Sequence, residues 1–408
     1  MEYTNPVRPQ HSTSNVGTPR GWLRRLHPTL PVDLAEALWL FVTLRVAFSA
    51  FAFLLLGTGS VAPPCARGEL APILHDAGRD FRLLGVWQRW DACWYERIAT
   101  LGYQSHPASV GFFPLYPALM RVVGVPFGGH LTLAGILISS VAYIAAMIGL
   151  YRLVCRDFDA ESAQRAVLYL SVFPSAFFLF APFTEALFLA LSIWVLYAAR
   201  QGHWGVTAPL ALLAGLTRIQ GALLALPLVW EWWRQRRHPD GARRRRPWAA
   251  LVPALPPSGF LLFLLYSEVV TGATAFQAQR TQWGVTGRWP WTAVITSWRE
   301  ARAHNDPIEV LNLASLILFS VLLVIGARRI PLSYALYAAP QLLLMGARQT
   351  LVGSPLASTY RYVLVLFPAF VVLALLGQHR RLHYTWLCIS LLLLGWLLSQ
   401  FLGGAYAY

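Results

Sequence analysis

The sequence contains no lysine, so each of its 33 basic residues is an arginine. Charge is scarce altogether: 12% of the residues are charged, 56% are hydrophobic, and the mean hydropathy is +0.50. A soluble domain carries about twice that share of charged residues, and a disordered chain is far less apolar. The composition therefore excludes both classes and indicates a multi-pass membrane protein. The exclusive use of arginine favours a GC-rich bacterial genome over a eukaryotic one.

Motifs of nucleotide and metal chemistry are missing as well. No Gly-rich phosphate loop and no soluble Rossmann unit occurs between the apolar runs. A cytoplasmic enzyme that uses a nucleotide sugar is therefore disfavoured. Histidine, cysteine and acidic residues do not recur at metal-ligand spacing, so we expect neither a metal ion nor another cofactor.

The N-terminal segment lacks the apolar core and the small-residue cleavage site of a secretory signal. We interpret residues 1–33 as a disordered cytoplasmic tail and residues 34–408 as one transmembrane domain. The apolar runs of that domain predict an all-α, multi-pass helical bundle with about eleven spans. The predicted spans are about Ala35–Gly57, Leu131–Val154, Gln164–Ala181, Phe183–Ala199, two short helices within Trp204–Trp233, Ala249–Val270, Ile308–Ala327, Pro331–Ala347, Tyr360–Leu376 and Tyr384–Leu402.

The run Trp204–Trp233 would be about 45 Å long as one helix, and Arg218 interrupts it. We interpret it as a hairpin with Arg218 near the outer turn. With this hairpin, the short loops on the N-terminal side of the membrane are all basic, as the positive-inside rule requires of cytoplasmic loops. Their arginines are Arg152, Arg156, Arg165, Arg200, Arg234, Arg236, Arg237, Arg243–Arg246, Arg328, Arg329, Arg380 and Arg381.

The net charge of +15 raises the question of a nucleic-acid partner. The densest cluster, Arg243–Arg246, could bind nucleic acid or anionic lipid. It also falls where the orientation of the chain demands positive charge, and this topological role is favoured. We therefore expect no nucleic-acid partner.

Two loops on the outer side, residues 58–130 and 271–306, are long enough to build a pocket. The first contains Trp87–Pro117, in which Asp91 lies between Trp90 and the pair Trp94-Tyr95. A carboxylate among so many aromatic residues at a membrane surface is costly unless it has a task. The pattern alone leaves two interpretations open, an interfacial helix anchored by its aromatic residues and an active-site loop.

The fixed positions of this stretch are Trp90, Asp91, Trp94, Tyr95, Ile98, Ala99, Gly102, Tyr103 and Phe112-Phe113-Pro114-Leu115-Tyr116-Pro117. Together they resemble the signature of the PIG-V family, membrane-embedded glycosyltransferases of the GT-C class that take mannose from a polyprenyl-phosphate lipid. The resemblance implies that Asp91 is the catalytic base, on the outer side, and that transfer proceeds with inversion. It also makes Trp90, Trp94 and Tyr95 candidates for substrate contact.

A second stretch that resembles the family, Phe173–Phe188, contains Glu185. A glutamate at the end of an apolar span needs a partner, and it could orient acceptor hydroxyls or hold an arginine. An alternative of similar weight is a helix start, with Thr184 as the cap and Glu185 in the first turn.

Two arginines lie at the outer side, against the inward bias of positive charge. Arg218 stands with Gln220 in a third, partial family match, and Arg361 with Tyr362 opens a late span in a further match. Planar guanidinium groups suit an anion, and the lipid phosphate of the donor is the one that the resemblance implies. Gln220 and Tyr362 would then contact substrate. Snorkelling of Arg218 to the headgroups is the alternative.

These residues together predict an inverting mannosyltransferase of the bacterial inner membrane, with a cytoplasmic N-terminus and a periplasmic active site. Its expected partners are the polyprenyl-phosphate-sugar donor, membrane lipids, and an acceptor glycan, lipid or protein. One alternative is a GT-C transferase for another sugar, such as arabinose. The other is a lipid or polymer transporter, for which internal repeats and charges near the bilayer midplane are typical.

Cys65 and Cys93 share the first outer loop, where a periplasm-like space permits oxidation. We predict a disulfide between them. Mass spectrometry of the purified protein without reductant should detect the two peptides joined, and free thiols at both positions would contradict the prediction.

Overall fold

The computed structural model describes residues 31–61, 84–237, 247–350 and 354–404, which are mostly helical. The helices are α1 (Val32–Gly57), α2 (Asp91–Leu101), α3 (Leu115–Gly124), α4 (Leu131–Asp157), α5 (Ala160–Ser171), α6 (Glu185–Arg200), α7 (Trp204–Gly215), α8 (Ala225–Arg237), α9 (Leu255–Thr271), α10 (Ala275–Trp283), α11 (Pro290–His304), α12 (Pro307–Gly326), α13 (Leu332–Ala347), α14 (Thr359–Tyr362), α15 (Phe367–Leu376) and α16 (Arg380–Leu402). Two short strands, β1 (Val285–Gly287) and β2 (Arg348–Thr350), pair antiparallel. The predicted all-α class is confirmed.

Five described helical segments are long and apolar enough to cross a membrane alone: α1, α4, Pro247–Thr271, α12 and α16. The pair α14–α15, with its intervening turn, is a sixth candidate, bent by 82°. Helices α7 and α13 are apolar but shorter. The protein is thus a multi-pass membrane protein, and the count of about eleven spans stays a prediction. Of the predicted tail, residues 1–30 lie outside the described residues.

Two predicted spans are not continuous helices. The prediction of one continuous helix at Gln164–Ala181 is wrong. Helix α5 ends at Ser171, and the chain continues through turns to a 3₁₀ segment at Ala176–Leu179. The span at Tyr360–Leu376 is broken at Leu366, just before α15. Pro174 and Pro368 explain both breaks, since proline lacks the N–H that an α-helix needs and clashes with the preceding turn.

The predicted hairpin within Trp204–Trp233 is present. Nε1 of Trp204, at the start of α7, donates to Oε1 of Gln235, near the end of α8, at 3.2 Å. The two helices therefore run antiparallel, with Arg218 in the turn between them. A Cβ on Gly221 would lie 2.1 Å from the carbonyl oxygen of Ala214, so this tight turn requires glycine.

Helices α4 and α6 run parallel and in contact, which fixes the depth at which α6 begins. The Ser139 hydroxyl of α4 donates to the carbonyl of Phe183 at 3.3 Å, and Nε1 of Trp194 donates to the carbonyl of Ala145 at 2.9 Å. Ser139 lies two turns into α4, so α6 begins about 12 Å below the start of α4 along its axis. We refer to this deeper level of the bundle, where α6 begins, as the recess.

An ion-pair cluster joins several helices on the side of the bundle opposite to the start of α4. Asp157 at the end of α4 pairs with Arg200 at the end of α6 and accepts a hydrogen bond from the Tyr334 hydroxyl of α13 at 2.5 Å. Arg200 also lies 3.7 Å from Glu231 of α8. Four helices are thus tied together on the side that carries the basic loops.

The topology can be tested by thiol labelling in a variant whose exposed Cys155 and Cys388 are replaced by serine. A cysteine at Gln104, exposed in the first outer loop, should react with a membrane-impermeant maleimide in intact cells. A cysteine at Arg329, exposed between α12 and α13, should react only after permeabilisation. Labelling of Arg329→Cys in intact cells would contradict the orientation.

Candidate active site

Four predicted residues from four separate elements form one alternating chain of charges at the recess. Oδ2 of Asp91 lies 2.7 Å from Nη2 of Arg361. Nε of the same Arg361 lies 3.2 Å from Oε1 of Glu185, and this oxygen lies 2.8 Å from Nη1 of Arg218. The order is therefore Asp91, Arg361, Glu185 and Arg218, with each charge beside one of opposite sign.

Accessibility falls along this chain of ion pairs. The Asp91 side chain is 25% exposed, whereas that of Glu185 is 1% exposed. Arg218 and Arg361 are also buried. A buried charge is tolerated only when it is paired, so Glu185 holds the two arginines in place. Of the four ion-paired side chains, Asp91 is the one that a substrate can reach readily.

Asp91 owes its position to an unusual backbone at Trp90. Trp90 has φ 43° and ψ −108°, a conformation that a bulky residue rarely adopts and that is often found at functional sites. Its ring packs edge-on against Phe401 of α16, with centroids 5.0 Å apart. Helix α2 begins directly afterwards with Asp91, where the positive end of the helix dipole favours a carboxylate.

The predicted helix start is present, with Thr184 at the N-cap position and Glu185 in the first turn of α6, but the Thr184 side chain makes no capping hydrogen bond. Oγ1 of Thr184 instead accepts a hydrogen bond from Nη1 of Arg218 at 3.0 Å and lies 3.4 Å from the Tyr95 hydroxyl. Burial, reinforced by the Asp91 and Glu185 carboxylates, raises the pKa of Tyr95. Its phenol therefore stays protonated beside the ion pairs.

The ring of Tyr362 stands among three arginines. The guanidinium carbons of Arg361, Arg218 and Arg348 lie 5.0, 5.2 and 5.6 Å from its centroid, a geometry typical of cation–π contacts. Gln220 completes this group, because its Oε1 accepts from Nε of Arg218 at 3.4 Å. Sequence reasoning missed Arg348, although it too is an arginine at the outer end of an apolar helix.

Trp94 packs among aromatic rings of the two outer loops. It stacks on Phe112 with centroids 5.5 Å apart and meets Trp283 edge-on at 6.1 Å. His106 lies beside the same ring, at 5.3 Å. Trp94 thus belongs to an aromatic patch that joins the first outer loop to α10 of the second.

The nine predicted site residues therefore divide into two groups. The cluster around the ion pairs contains Asp91, Tyr95, Glu185, Arg218, Gln220, Arg361 and Tyr362. Trp90 and Trp94 flank this cluster and pack against other aromatic rings.

Two further charged residues lie outside this cluster. Glu96 accepts hydrogen bonds from the Thr132 hydroxyl at 2.7 Å and from Nε2 of Gln88 at 3.0 Å. Arg45 of α1 donates to the Ser140 hydroxyl at 3.0 Å and to the Phe180 carbonyl at 2.8 Å. Both side chains thus have hydrogen-bond partners inside the bundle.

Aromatic rings close the recess from below. The guanidinium carbon of Arg361 lies 5.3 Å from the ring centroids of both Phe178 and Phe183. Both rings are fully buried and meet edge-on, with centroids 5.0 Å apart. The charges therefore rest on a packed aromatic floor.

Part of the sequence, including three of the four ion-paired residues, matches the model of a known protein family. Residues 57–226 match the family model Mannosyltransferase (PIG-V), which confirms the resemblance noted in the sequence. This segment includes Asp91, Glu185 and Arg218, whereas Arg348 and Arg361 lie beyond it. A search of curated proteins found no match.

Two solved structures resemble the fold weakly. Both are crystal structures of the oligosaccharyltransferase of Archaeoglobus fulgidus, one with zinc and sulfate and one tethered to an acceptor peptide that contains the NVT sequon. The TM-scores are 0.40 and 0.39, at 11% and 12% identity. The matches cover 77% and 88% of this chain, which spans about half of each structure, 48% and 55%.

The ion-pair chain makes a prediction about stability. Glu185→Gln removes the shared partner of Arg218 and Arg361, so Arg361 keeps only Asp91 and Arg218 loses its carboxylate partner among the described residues. Breaking a buried pair in this way costs about 3–5 kcal/mol, and we expect a lower midpoint of thermal unfolding in detergent. Glu161→Gln is the control, because Glu161 is 75% exposed in its pair with Arg165 and should change the midpoint little. Equal midpoints for the two variants would show that Glu185 is not the structural centre.

Proposed function

We propose that this protein is a membrane-embedded mannosyltransferase of the GT-C class, because residues 57–226 match the mannosyltransferase (PIG-V) family model. It transfers mannose from polyprenyl-phosphate-mannose to an acceptor hydroxyl, with inversion. The observation that carries the proposal is the ion-pair chain in the recess. It combines one accessible carboxylate, Asp91, with cations suited to a lipid phosphate.

Asp91 is the general base of the proposed reaction. An acceptor hydroxyl attacks the anomeric carbon of mannose as Asp91 takes its proton, and the bond from that carbon to the phosphate oxygen breaks. The phosphate leaves with the bonding electron pair as polyprenyl phosphate. A single displacement of this kind inverts the anomeric centre. The partial exposure of Asp91 at the end of the chain suits this role.

Arg361 and Arg218 hold the donor phosphate in this proposal. The ion pairs of Arg361 use Nε and Nη2, and a guanidinium has five N–H donors, so Nη1 is left for a phosphate oxygen. Arg361 also joins base and phosphate, because the same group contacts Asp91.

The other predicted residues provide contacts for the sugar and the acceptor. Oε2 of Glu185 is buried and has no hydrogen bond within the described part of the chain, so it can accept one from a substrate hydroxyl. Tyr95 and Gln220 border the same space. Trp90 and Trp94 supply aromatic faces at its edge, and Tyr362 lies against the phosphate-binding arginines. Guanidinium groups neutralise the phosphate, so the proposed mechanism uses no metal ion or other cofactor.

The proposed location is the bacterial inner membrane, with the N-terminus in the cytoplasm and the recess open to the periplasm. The basic loops support this orientation. A polyprenyl donor then approaches from the outer leaflet, and the acceptor is a glycan, lipid or protein of the periplasmic side.

The transporter alternative is less well supported. A transporter must open its site to both sides of the membrane in turn. Here the ion pairs of Asp157, Arg200 and Glu231 tie three helices together on the basic side. A transferase that works from one face needs no such opening.

The base can be tested in purified protein with a radiolabelled mannose donor. Asp91→Asn retains the shape of the side chain and removes its basicity, while Arg361 keeps its partner Glu185. We expect normal expression and membrane insertion but a loss of mannosyl transfer of at least about 10²-fold.

Glu96→Gln is the matched control, because Glu96 lies on the same helix as Asp91 and hydrogen-bonds with Thr132 and Gln88. It should lower transfer far less. Near-normal transfer by Asp91→Asn would refute the proposed mechanism and direct attention to Glu185 as the base.

A further inference from the structure

The charges around Tyr362 do not balance. Three arginines, Arg218, Arg348 and Arg361, surround its ring. Two carboxylates, Asp91 and Glu185, pair with Arg361 and Arg218. Arg348 pairs with no carboxylate among the described residues, and its hydrogen-bond partner is Oε1 of Gln279, a neutral amide, at 3.3 Å. The cluster therefore carries one positive charge in excess.

This excess charge is held in a costly position. Arg348 is half-buried, and two further cations lie against the same ring. Contact with the ring face offsets only part of this cost. An anion between the arginines would relieve the repulsion, so the arrangement suits a ligand with at least one negative charge.

Arg348 is held in place from the second outer loop. Gln279 of α10 accepts its hydrogen bond, and Nε2 of Gln279 donates to the carbonyl of Gly111 in the first outer loop at 3.2 Å. The backbone of Arg348 pairs with Gly287 in the two-stranded ribbon. The two outer loops thus meet at Gln279, whose carbonyl oxygen orients the guanidinium of Arg348.

We propose that Arg348 is a ligand of the donor phosphate and that Gln279 is its positioning residue. This inference rests on the proposed function and extends it to the second outer loop. A sugar–phosphate–lipid diester carries one negative charge, which matches the excess charge of the cluster. When the sugar leaves, the phosphate becomes a monoester and gains negative charge, so Arg348 also stabilises the leaving group.

The test uses purified full-length protein in nanodiscs with two readouts. One is the KM and kcat for polyprenyl-phosphate-mannose. The other is the inhibition constant of sugar-free polyprenyl monophosphate. Arg348→Gln should raise the donor KM and weaken inhibition by at least about 10-fold, the equivalent of one charged hydrogen bond, without changing the acceptor KM. Arg288→Gln is the matched control, because Arg288 is an exposed arginine next to the same ribbon and should change neither value.

Gln279→Glu separates charge from shape. The variant retains an acceptor oxygen for Arg348 and supplies the carboxylate that Arg348 lacks, so it neutralises the excess charge. We expect it to weaken inhibition by the monophosphate about as much as Arg348→Gln does. A purely structural role for Gln279 predicts no change in inhibition.

The outcomes distinguish this inference from the proposed function. Mannosyl transfer by the wild type combined with unchanged donor KM and inhibition in Arg348→Gln overturns the role of Arg348 alone. Unchanged inhibition in Gln279→Glu overturns the role of the excess charge. A wild-type protein that neither transfers mannose nor is bound by polyprenyl phosphate overturns both proposals. Arg348→Lys keeps the positive charge and serves as a control for folding. The proposal requires this variant to recover at least part of the inhibition by polyprenyl monophosphate that Arg348→Gln loses.

Discussion

Glu185 has to remain charged without contact with water, and the rest of the site depends on how this is achieved. Two arginines, Arg218 and Arg361, lie against its carboxylate. They come from the turn of a helical hairpin and from the start of a bent helix pair. An unpaired charge at this depth would be expelled or neutralised. The pairing therefore couples the local geometry of three chain segments that are distant in sequence.

Broken helices are what make this coupling possible. A continuous helix satisfies its own backbone groups and passes through the bundle, whereas a helix that starts inside it exposes a polar end. Glu185 begins α6 in such a position, about 12 Å below the start of α4. Pro174 and Pro368 interrupt the neighbouring apolar runs. The same proline-induced breaks thus produce the recess and place the charged residues within it.

Much of the site could be predicted from sequence because rare charges in an apolar chain are conspicuous. Asp91, Glu185, Arg218 and Arg361 each stood at the outer end of an apolar run, and all four meet in the structure. The broken spans were not predicted, since hydropathy does not distinguish a continuous helix from two collinear pieces. Arg348 was missed because its importance is a matter of charge balance, which depends on which carboxylates lie near it. The disulfide stays a prediction, because Cys65 lies outside the described residues.

The aromatic floor formed by Phe178 and Phe183 has a consequence for the cell rather than for the reaction. Charged groups buried partway across a membrane can act as intermediate binding sites for protons and small ions that cross it. Next to Arg361 lie the fully buried rings of Phe178 and Phe183, and an ion would have to shed its hydration to pass them, at high cost. The bundle can therefore hold an ionic site within a membrane and still oppose the leakage of ions through it.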